Sequence, residues 1–328
     1  MIQFLARRFL LMIPTLFVIS IISFVVIELP PGDFLTTYLQ KQEDLHASGI
    51  SEEIIAGMQQ RWGLDRPWYW RYFRWITNFV QGDLGFSLDY MKPVNEIIGE
   101  RLLLTMVVSL ASLLFAWGMA IPIGVYSAVR QYSTGDYILT FLGFIGLAVP
   151  NFMLALVLMY VSYSLFDASV GGLFSREYLI APWSLGKMID LLKHLWIPMI
   201  VVGTAGTAST IRVMRANLLD ELRKNYVVAA RVGGLKETAL LVKYPIRVAI
   251  NPLISTIGWL LPTLISGATI TAVVLGLPTV GPVFLRSLQV QDMYLAGSVV
   301  MLLATATVIG TVLSDILLAA IDPRIRFD

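Results

Sequence analysis

"LLLTMVVSLASLLFAWGMAIPIGVYSAV", residues 102–129, contains no Asp, Glu, Lys, Arg or His along its whole length. A bilayer core about 30 Å thick is crossed by roughly 20 apolar residues of helix, since no backbone polar group can be left bare in hydrocarbon. This stretch is long enough to cross with turns to spare. Working outward from it, five more runs approach the same length: 9–29, 137–166, 195–214, 252–277 and 294–321, of which 195–214 has the shortest uninterrupted apolar part. The composition agrees, because 57% hydrophobic and 14% charged residues make a chain of 328 residues too apolar for a water-soluble domain. The sequence therefore predicts an all-α membrane protein with six transmembrane helices. The run 9–29 leads into "ELPPGD" (28–33) without a small-residue cleavage site, so it is expected to remain as an uncleaved first helix.

The Lys/Arg distribution orients these spans, because basic loops resist translocation. With the N-terminus in the cytoplasm, thirteen basic residues fall inside: Arg7, Arg8, Arg130, eight within 212–247, Arg324 and Arg326. The inside then nets +7 and the outside −4, with Asp315 in the last span completing the formal +2. Both termini are expected to be cytoplasmic. Topology accounts for the modest positive charge, and nucleic-acid binding needs no place in the reading. The chain divides by this logic into 1–30 (N-terminus and first span), an extracytoplasmic segment 31–100, and a core 101–328 containing a cytoplasmic loop 212–251.

Cysteine is absent, so no disulfide holds the outer segment. Within it, "RPWYWRYFRWITNFV" (66–80) places Trp68, Tyr72, Trp75 and Phe79 along one helical stripe with Arg71, Arg74 and Asn78 elsewhere. Such a helix suits the membrane interface, with a docking surface for an outside partner as the sharper alternative.

Chemistry of its own is hard to find in the chain. "APWSLGK" (181–187) lacks the first glycine of a phosphate-cradling loop and does not end in Ser or Thr. His46 and His194 lie far apart in expected outer loops, each a solvated histidine without a second ligand at metal spacing. No HExxH or GxSxG occurs, so the chain is expected to be neither an enzyme nor a holder of metal or cofactor. Asp315 is the single acid well inside an expected span, whereas an ion-coupled carrier commonly needs more. A pathway driven from elsewhere fits better. An ion-coupled secondary carrier and a non-transporting anchor or sensor remain the alternatives.

Proline and glycine interrupt the span 102–129 at Pro122, 137–166 at Pro150, and 252–277 at Gly258, Pro262 and Gly267. Such bends survive in lipid where neighbours or a cavity satisfy the freed backbone. The third and fifth spans are thus the candidates to line a pathway, with Asn151, Tyr160, Trp259, Thr263 and Thr271 as pathway residues. Small-residue runs "GTAGTAST" (203–210) and "ATATVIGT" (304–311) permit close helix approach, within this chain or against another.

The segment 212–251 carries eight basic residues against three acids. "NLLDELRKN" (217–225) reads as a helix continuing from the membrane, and "YVVAARV" (226–232) as a short second helix ended by a left-handed cap at Gly233 and Gly234. A helix that short is marginal alone and should dock on something.

Ala229, Ala230 and Gly234 match the A-A-x-x-x-G core of the loop signature in permease subunits of ATP-binding-cassette importers. Around it stand "RRFLLMIPTLFVISIISFVVIELPPGD" (7–33), "GLDRPW" (63–68), "GDLGFSL" (82–88), "ERLLLTM" (100–106), "IPIGVYSAVR" (121–130) and "IDPRIR" (321–326). Over roughly residues 5–326 the chain resembles the dipeptide/oligopeptide/nickel permease family. The resemblance implies a type I ABC importer permease fold with a cytoplasmic coupling helix built from Tyr226, Ala229, Ala230, Arg231, Gly233, Gly234 and Leu235. It implies as partners a homologous second permease, two ATP-binding subunits that carry ATP and Mg, an extracytoplasmic substrate-binding protein and membrane lipid, in a bacterial or archaeal cytoplasmic (inner) membrane. The chain departs from the family in having Val228 at the signature glutamate, "PPGDF" (30–34) for P-G-D-P, Pro245, and Ala272 where peptide permeases carry an acid. The missing acid leaves oligopeptides and oligosaccharides both open as substrates.

Overall fold

A computed structural model describes residues 2–28, 65–166, 171–257 and 268–321, with side chains from Leu10 to Ala320. Its helices, in chain order, are α1 (Ile2–Glu28), α2 (Trp68–Val80), α3 (Val94–Val129), α4 (Thr134–Ala148), α5 (Asn151–Phe166), α6 (Leu185–Leu222), α7 (Asn225–Val232), α8 (Glu237–Lys243), α9 (Pro245–Ala249), α10 (Asn251–Ser255), α11 (Val280–Gln289) and α12 (Met293–Ile321). Residues 268–274 are also helical. Two short strands, β1 (Phe86–Ser87) and β2 (Lys92–Pro93), pair antiparallel with Phe86 opposite Pro93.

Among the described residues four segments are long and apolar enough to cross a membrane: Leu10–Glu28, Val94–Val129, Leu185–Leu222 and Met293–Ala320. The expected span 137–166 is instead two helices, α4 and α5, bent by 100°. Proline forces the break, because its ring disfavours helical backbone in the residue before it, and Val149 is extended at φ −82°, ψ 123°. The pair makes a fifth crossing only if both halves serve as one span. The expected span 195–214 sits inside a helix of 38 residues. Its polar flanks stay helical because Ser184 caps the start, accepting from the Lys187 N–H at 3.3 Å, and because "RVMRANLLDEL" (212–222) is rich in good helix formers. Of the expected span 252–277, residues 258–267 lie outside the described residues, as do His46 and the motif 321–326 beyond its first residue.

The described residues form two compact units. One comprises residues 105–166, 171–257, 268–278 and 307–321. There α4 and α5 pack on α6, and α3 and α4 approach the small-residue run of α6 closely. A Cβ on Gly203 would lie 2.6 Å from Phe115 Cδ1, and one on Gly146 would lie 2.8 Å from Thr204 Cγ2. The run 203–210 is thus used for packing within the chain. His194 is not in a solvated loop: it lies in α6, buried, with Nδ1 2.8 Å from the Asp190 carbonyl oxygen.

The other unit comprises residues 2–28, 65–104 and 279–306. In α2, Tyr72 and Trp75 are buried against Phe24 of α1 and Met301 of α12, the Tyr72 hydroxyl lies 2.8 Å from Ser20 Oγ, and Arg71 pairs with Glu28. Three of the four stripe residues, Tyr72, Trp75 and Phe79, therefore pack on protein, while Trp68 stays 59% exposed. The motif 82–88 is a turn locked in place by polar groups. The buried carboxylate of Asp292 accepts from Ser87 Oγ at 2.6 Å and from the Asp89 and Leu295 N–H groups at 3.2 Å each. Arg286 forks onto Asp89 at 2.5 and 3.0 Å. Gly85 takes φ +87°, and a Cβ there would lie 2.8 Å from the Tyr294 ring.

Candidate functional site

At its end, α6 tightens, with the Lys224 N–H donating to the Glu221 carbonyl at 3.1 Å. Lys224 then adopts an extended conformation, φ −72° and ψ 145°, so the chain turns out of the α6 axis and α7 begins afresh. The Lys224 carbonyl accepts from Val227 and Val228 at 3.0 and 3.3 Å, closing the first turn.

Eight residues of helix are marginal in isolation, so tertiary contacts must hold α7. Val227 is fully buried, as is Leu240 of α8, and α8 packs against both α7 and α9. The Tyr226 hydroxyl donates to the Glu221 carboxylate, tying α7 to the last turn of α6, and its ring lies 6.4 Å from that of Tyr244. Arg231 forks onto Glu237 at the start of α8, with Nε and Nη2 at 3.0 and 2.6 Å from the two carboxylate oxygens. That hydrogen bond holds the Glu237 carboxyl below its ordinary range and pushes the Arg231 guanidinium up. Both side chains are about half exposed, so solvent and salt screen the pair.

The end of α7 is a Schellman cap. The Leu235 N–H donates to the Ala230 carbonyl at 3.3 Å and the Gly234 N–H to the Arg231 carbonyl at 3.1 Å. Only Gly234 is left-handed, at φ +81°, while Gly233 keeps φ −69°. The cap expected from both glycines thus rests on one of them. Nothing lies within 4 Å of where a Gly234 Cβ would be, so glycine is needed there for backbone freedom and not for space.

Of the seven residues singled out in the sequence, Tyr226, Ala230 and Leu235 are half-buried and hold α7, whereas Ala229, Arg231, Gly233 and Gly234 are exposed. Two residues outside that set complete the outer face. Val228 is 48% exposed and Val232 83% exposed, one helical turn apart with Ala229 beside them. Composition gave their signal, as valines on a short helix in a basic loop, but burial was needed to tell them from Val227.

Behind α7 the path into the membrane helices is apolar. Ala249 of α9 clusters with Met214 and Leu218 of α6, Ala128 of α3 and Leu253 of α10, with Ile246, Ile250, Trp117 and Ile121 packed around them. A Cβ on Gly124 would lie 2.8 Å from Met214 Cβ, so α3 and α6 touch closely at this level.

The pathway candidates are less unified. Asn151 is the first residue of α5, and Tyr160, nine residues on, is 71% exposed. At about 100° per residue the two fall on opposite sides of the helix. Thr271 is buried, and Trp259 and Thr263 lie outside the described residues. Among the described residues no group of three His, Asp or Glu side chains could hold a metal ion.

Comparison with known proteins adds to this geometry. Residues 120–327 match the family described as binding-protein-dependent transport system inner membrane component. The chain is similar to the oligopeptide transport system permease protein of Bacillus subtilis, 36% identical over 329 residues with 100% of each chain covered. It is 30% identical to the dipeptide transport system permease protein of Escherichia coli and 30% identical to the di/tripeptide transport system permease protein of Pseudomonas aeruginosa, each with 99% of both chains covered.

Proposed function

The chain belongs to the family of binding-protein-dependent transport system inner membrane components, and from that premise we propose that it is one half of the translocation pathway of an ATP-driven importer of peptides. It is a multi-pass inner-membrane protein. The peptide-transport names of its relatives support the substrate class. Six spans with both termini cytoplasmic complete the reading, supported by the four long apolar segments, the bent α4–α5 pair and the inward bias of Lys and Arg. A homologous permease supplies the other half, two partner subunits bind and hydrolyse ATP with Mg, and an extracytoplasmic protein delivers substrate.

In this reading α7 is the coupling helix. One observation carries it: a short, capped helix in a basic loop leaves Val228, Ala229 and Val232 facing outward while its other side is anchored to α6 and α8. Exposed apolar residues on so small a helix call for a partner surface. When the ATPase subunits close, the pull on α7 passes through Tyr226 to Glu221 at the end of α6, and through α8 and α9 to the apolar cluster shared with α3. Helices moved together in this way switch access from one side of the membrane to the other.

Gly234→Pro tests it. Proline is fixed near φ −65°, so it fits neither φ +81° nor the hydrogen bond the Gly234 N–H donates. Binding-protein-stimulated ATP hydrolysis of the assembled importer is expected to vanish while the chain stays inserted, and a bulky replacement of Ala230 should do the same. Normal coupling in both variants would overturn the assignment. Transport without any nucleotide-hydrolysing partner would instead favour a secondary carrier.

The oligosaccharide alternative arose from Ala272, and that residue is buried inside its unit, so the missing acid weighs little against peptides. The ligand retained by the partner binding protein decides between the two. A ligand bearing a free amino terminus supports peptides, and one without ionisable groups overturns them.

A further inference from the structure

Asp136 is among the most deeply buried charged groups described, at 2% exposure. It lies in the first turn of α4, where its own N–H donates to Ser133 Oγ at 3.2 Å. Its Oδ2 accepts from Arg215 Nη2 of α6 at 2.8 Å and from the Tyr132 N–H at 3.0 Å, and its Oδ1 accepts from Thr140 Oγ1 at 3.4 Å. The carboxylate thus joins three pieces of chain: the turn after α3, the start of α4 and the α6 helix.

The turn it holds is not a relaxed one. Tyr132 has φ +64°, the left-handed region that a non-glycine residue adopts at a cost, and its N–H is fixed by Asp136. Just beside it a Cβ on Gly135 would lie 2.9 Å from Tyr126 Cε1, so α3 and α4 meet with no spare room. Arg215 is seven residues before the end of α6, about two turns from the link to Tyr226. Arg215 Nε is buried without a hydrogen-bond partner, so a single nitrogen of the guanidinium carries the pair. Arg212, on the same helix, lies over the Phe144 ring of α4 at 5.9 Å.

We propose that the Asp136–Arg215 ion pair is a positioning strut that makes the bent α4–α5 pair follow α6 when α7 is displaced, so that losing it lets α6 move without α4. The inference rests on the coupling role given to α7. Its physical basis is asymmetry: apolar contact between α4 and α6 permits sliding, whereas a buried carboxylate bound to a cation and to backbone fixes one register.

The chain has no cysteine, so paired labels can be placed cleanly. Spin labels at Ile138→Cys on α4 and Val213→Cys on α6, both exposed, report the separation of the helices in the complete importer, without nucleotide and trapped with ATP and vanadate. With the native pair the distance distribution is expected to be the same in both states. In Asp136→Asn and in Arg215→Gln it is expected to lengthen and broaden on trapping, and peptide carried per ATP hydrolysed should fall about tenfold, within the usual range of coupling energies. Asp136→Glu, which keeps the charge, should restore part of that ratio. A merely structural role would lower thermal stability without a nucleotide-dependent change in distance, and that result overturns the proposal. Should Asp136→Asn fail to assemble, Arg215→Gln decides, because the Arg215 side chain is 27% exposed and its loss is better tolerated. A third label at Val232→Cys separates the two readings. If it senses no change on trapping, the coupling role falls and this inference with it. If it changes while the α4–α6 distance stays fixed in both variants, this inference alone is overturned.

Discussion

The turn at 82–93 and the loop carrying α7 both join short, irregular chain to the end of a long apolar helix, yet their residues are used in opposite ways. In the turn the central polar group is inside: Asp292 is fully buried and holds Ser87, Asp89 and Leu295, Gly85 is pressed against Tyr294, and only the Arg286 end of the Arg286–Asp89 pair reaches the surface. In the loop the ion pair of Arg231 with Glu237 is on the surface, and Val228 and Val232 are exposed. Buried, multiply bonded polar groups allow one arrangement and resist displacement. A surface pair beside exposed apolar residues costs little to shift and leaves binding surface free. The first region is built to stay where it is, and the second to be held by something else.

Removing Asp292 should separate the two regions most. Asp292→Ala leaves a buried hydroxyl, a buried N–H and a part-buried N–H without an acceptor, a loss of about 3 kcal/mol or more, read as a large drop in melting temperature in detergent. A drop no larger than that of a surface substitution would break the contrast. Glycine gives a matched pair of the next size. Gly85→Ala adds a ring clash to an unfavourable φ and is expected to cost about 2–3 kcal/mol, whereas Gly234→Ala meets open space and costs about 1 kcal/mol. Equal losses at the two sites would show that packing does not distinguish the regions.

Acidification should give the smallest effects, and of opposite sign. Burial raises the Asp292 carboxyl above its ordinary value, so its contribution is complete below about pH 3.9 and is lost as pH rises through the raised value. Native protein should therefore gain stability relative to Asp292→Asn as pH falls. Glu237 is held low by Arg231, so its contribution is present above about pH 4.3 and is lost as pH falls through the lowered value. Native protein should then lose stability relative to Glu237→Gln, by a margin that salt reduces. Paired melting curves over that range check both signs, and the same sign in both pairs would undo the comparison.

Much of this was legible in the chain and some was not. Apolar runs placed α1, α3 and α12 within a residue or so at four of their six ends, although α1 begins seven residues and α3 eight residues before its run, α3 because "VNEIIGER" (94–101) continues the helix at its polar end. Pro150 announced a bend, but its 100° depends on how α4 and α5 each pack on α6. "STGD" (133–136) carries the signal of a helix cap at Ser133, and nothing in it tells that the same Asp136 reaches Arg215, seventy-nine positions away. Arg231 and Glu237 are six apart across a cap, a spacing that no single-helix rule pairs.

The sequence by itself determined that this chain lives in a membrane, roughly where it crosses, and that a short glycine-ended helix interrupts its basic loop, because hydropathy, charge bias and backbone freedom are properties of local stretches. Only the tertiary structure decided which side of that helix is anchored and which is offered outward, that one glycine and not two makes its cap, and that Asp136 and His194 are buried. Those outcomes depend on which residues meet across long separations, and burial and pairing energies are set by the neighbours that folding supplies.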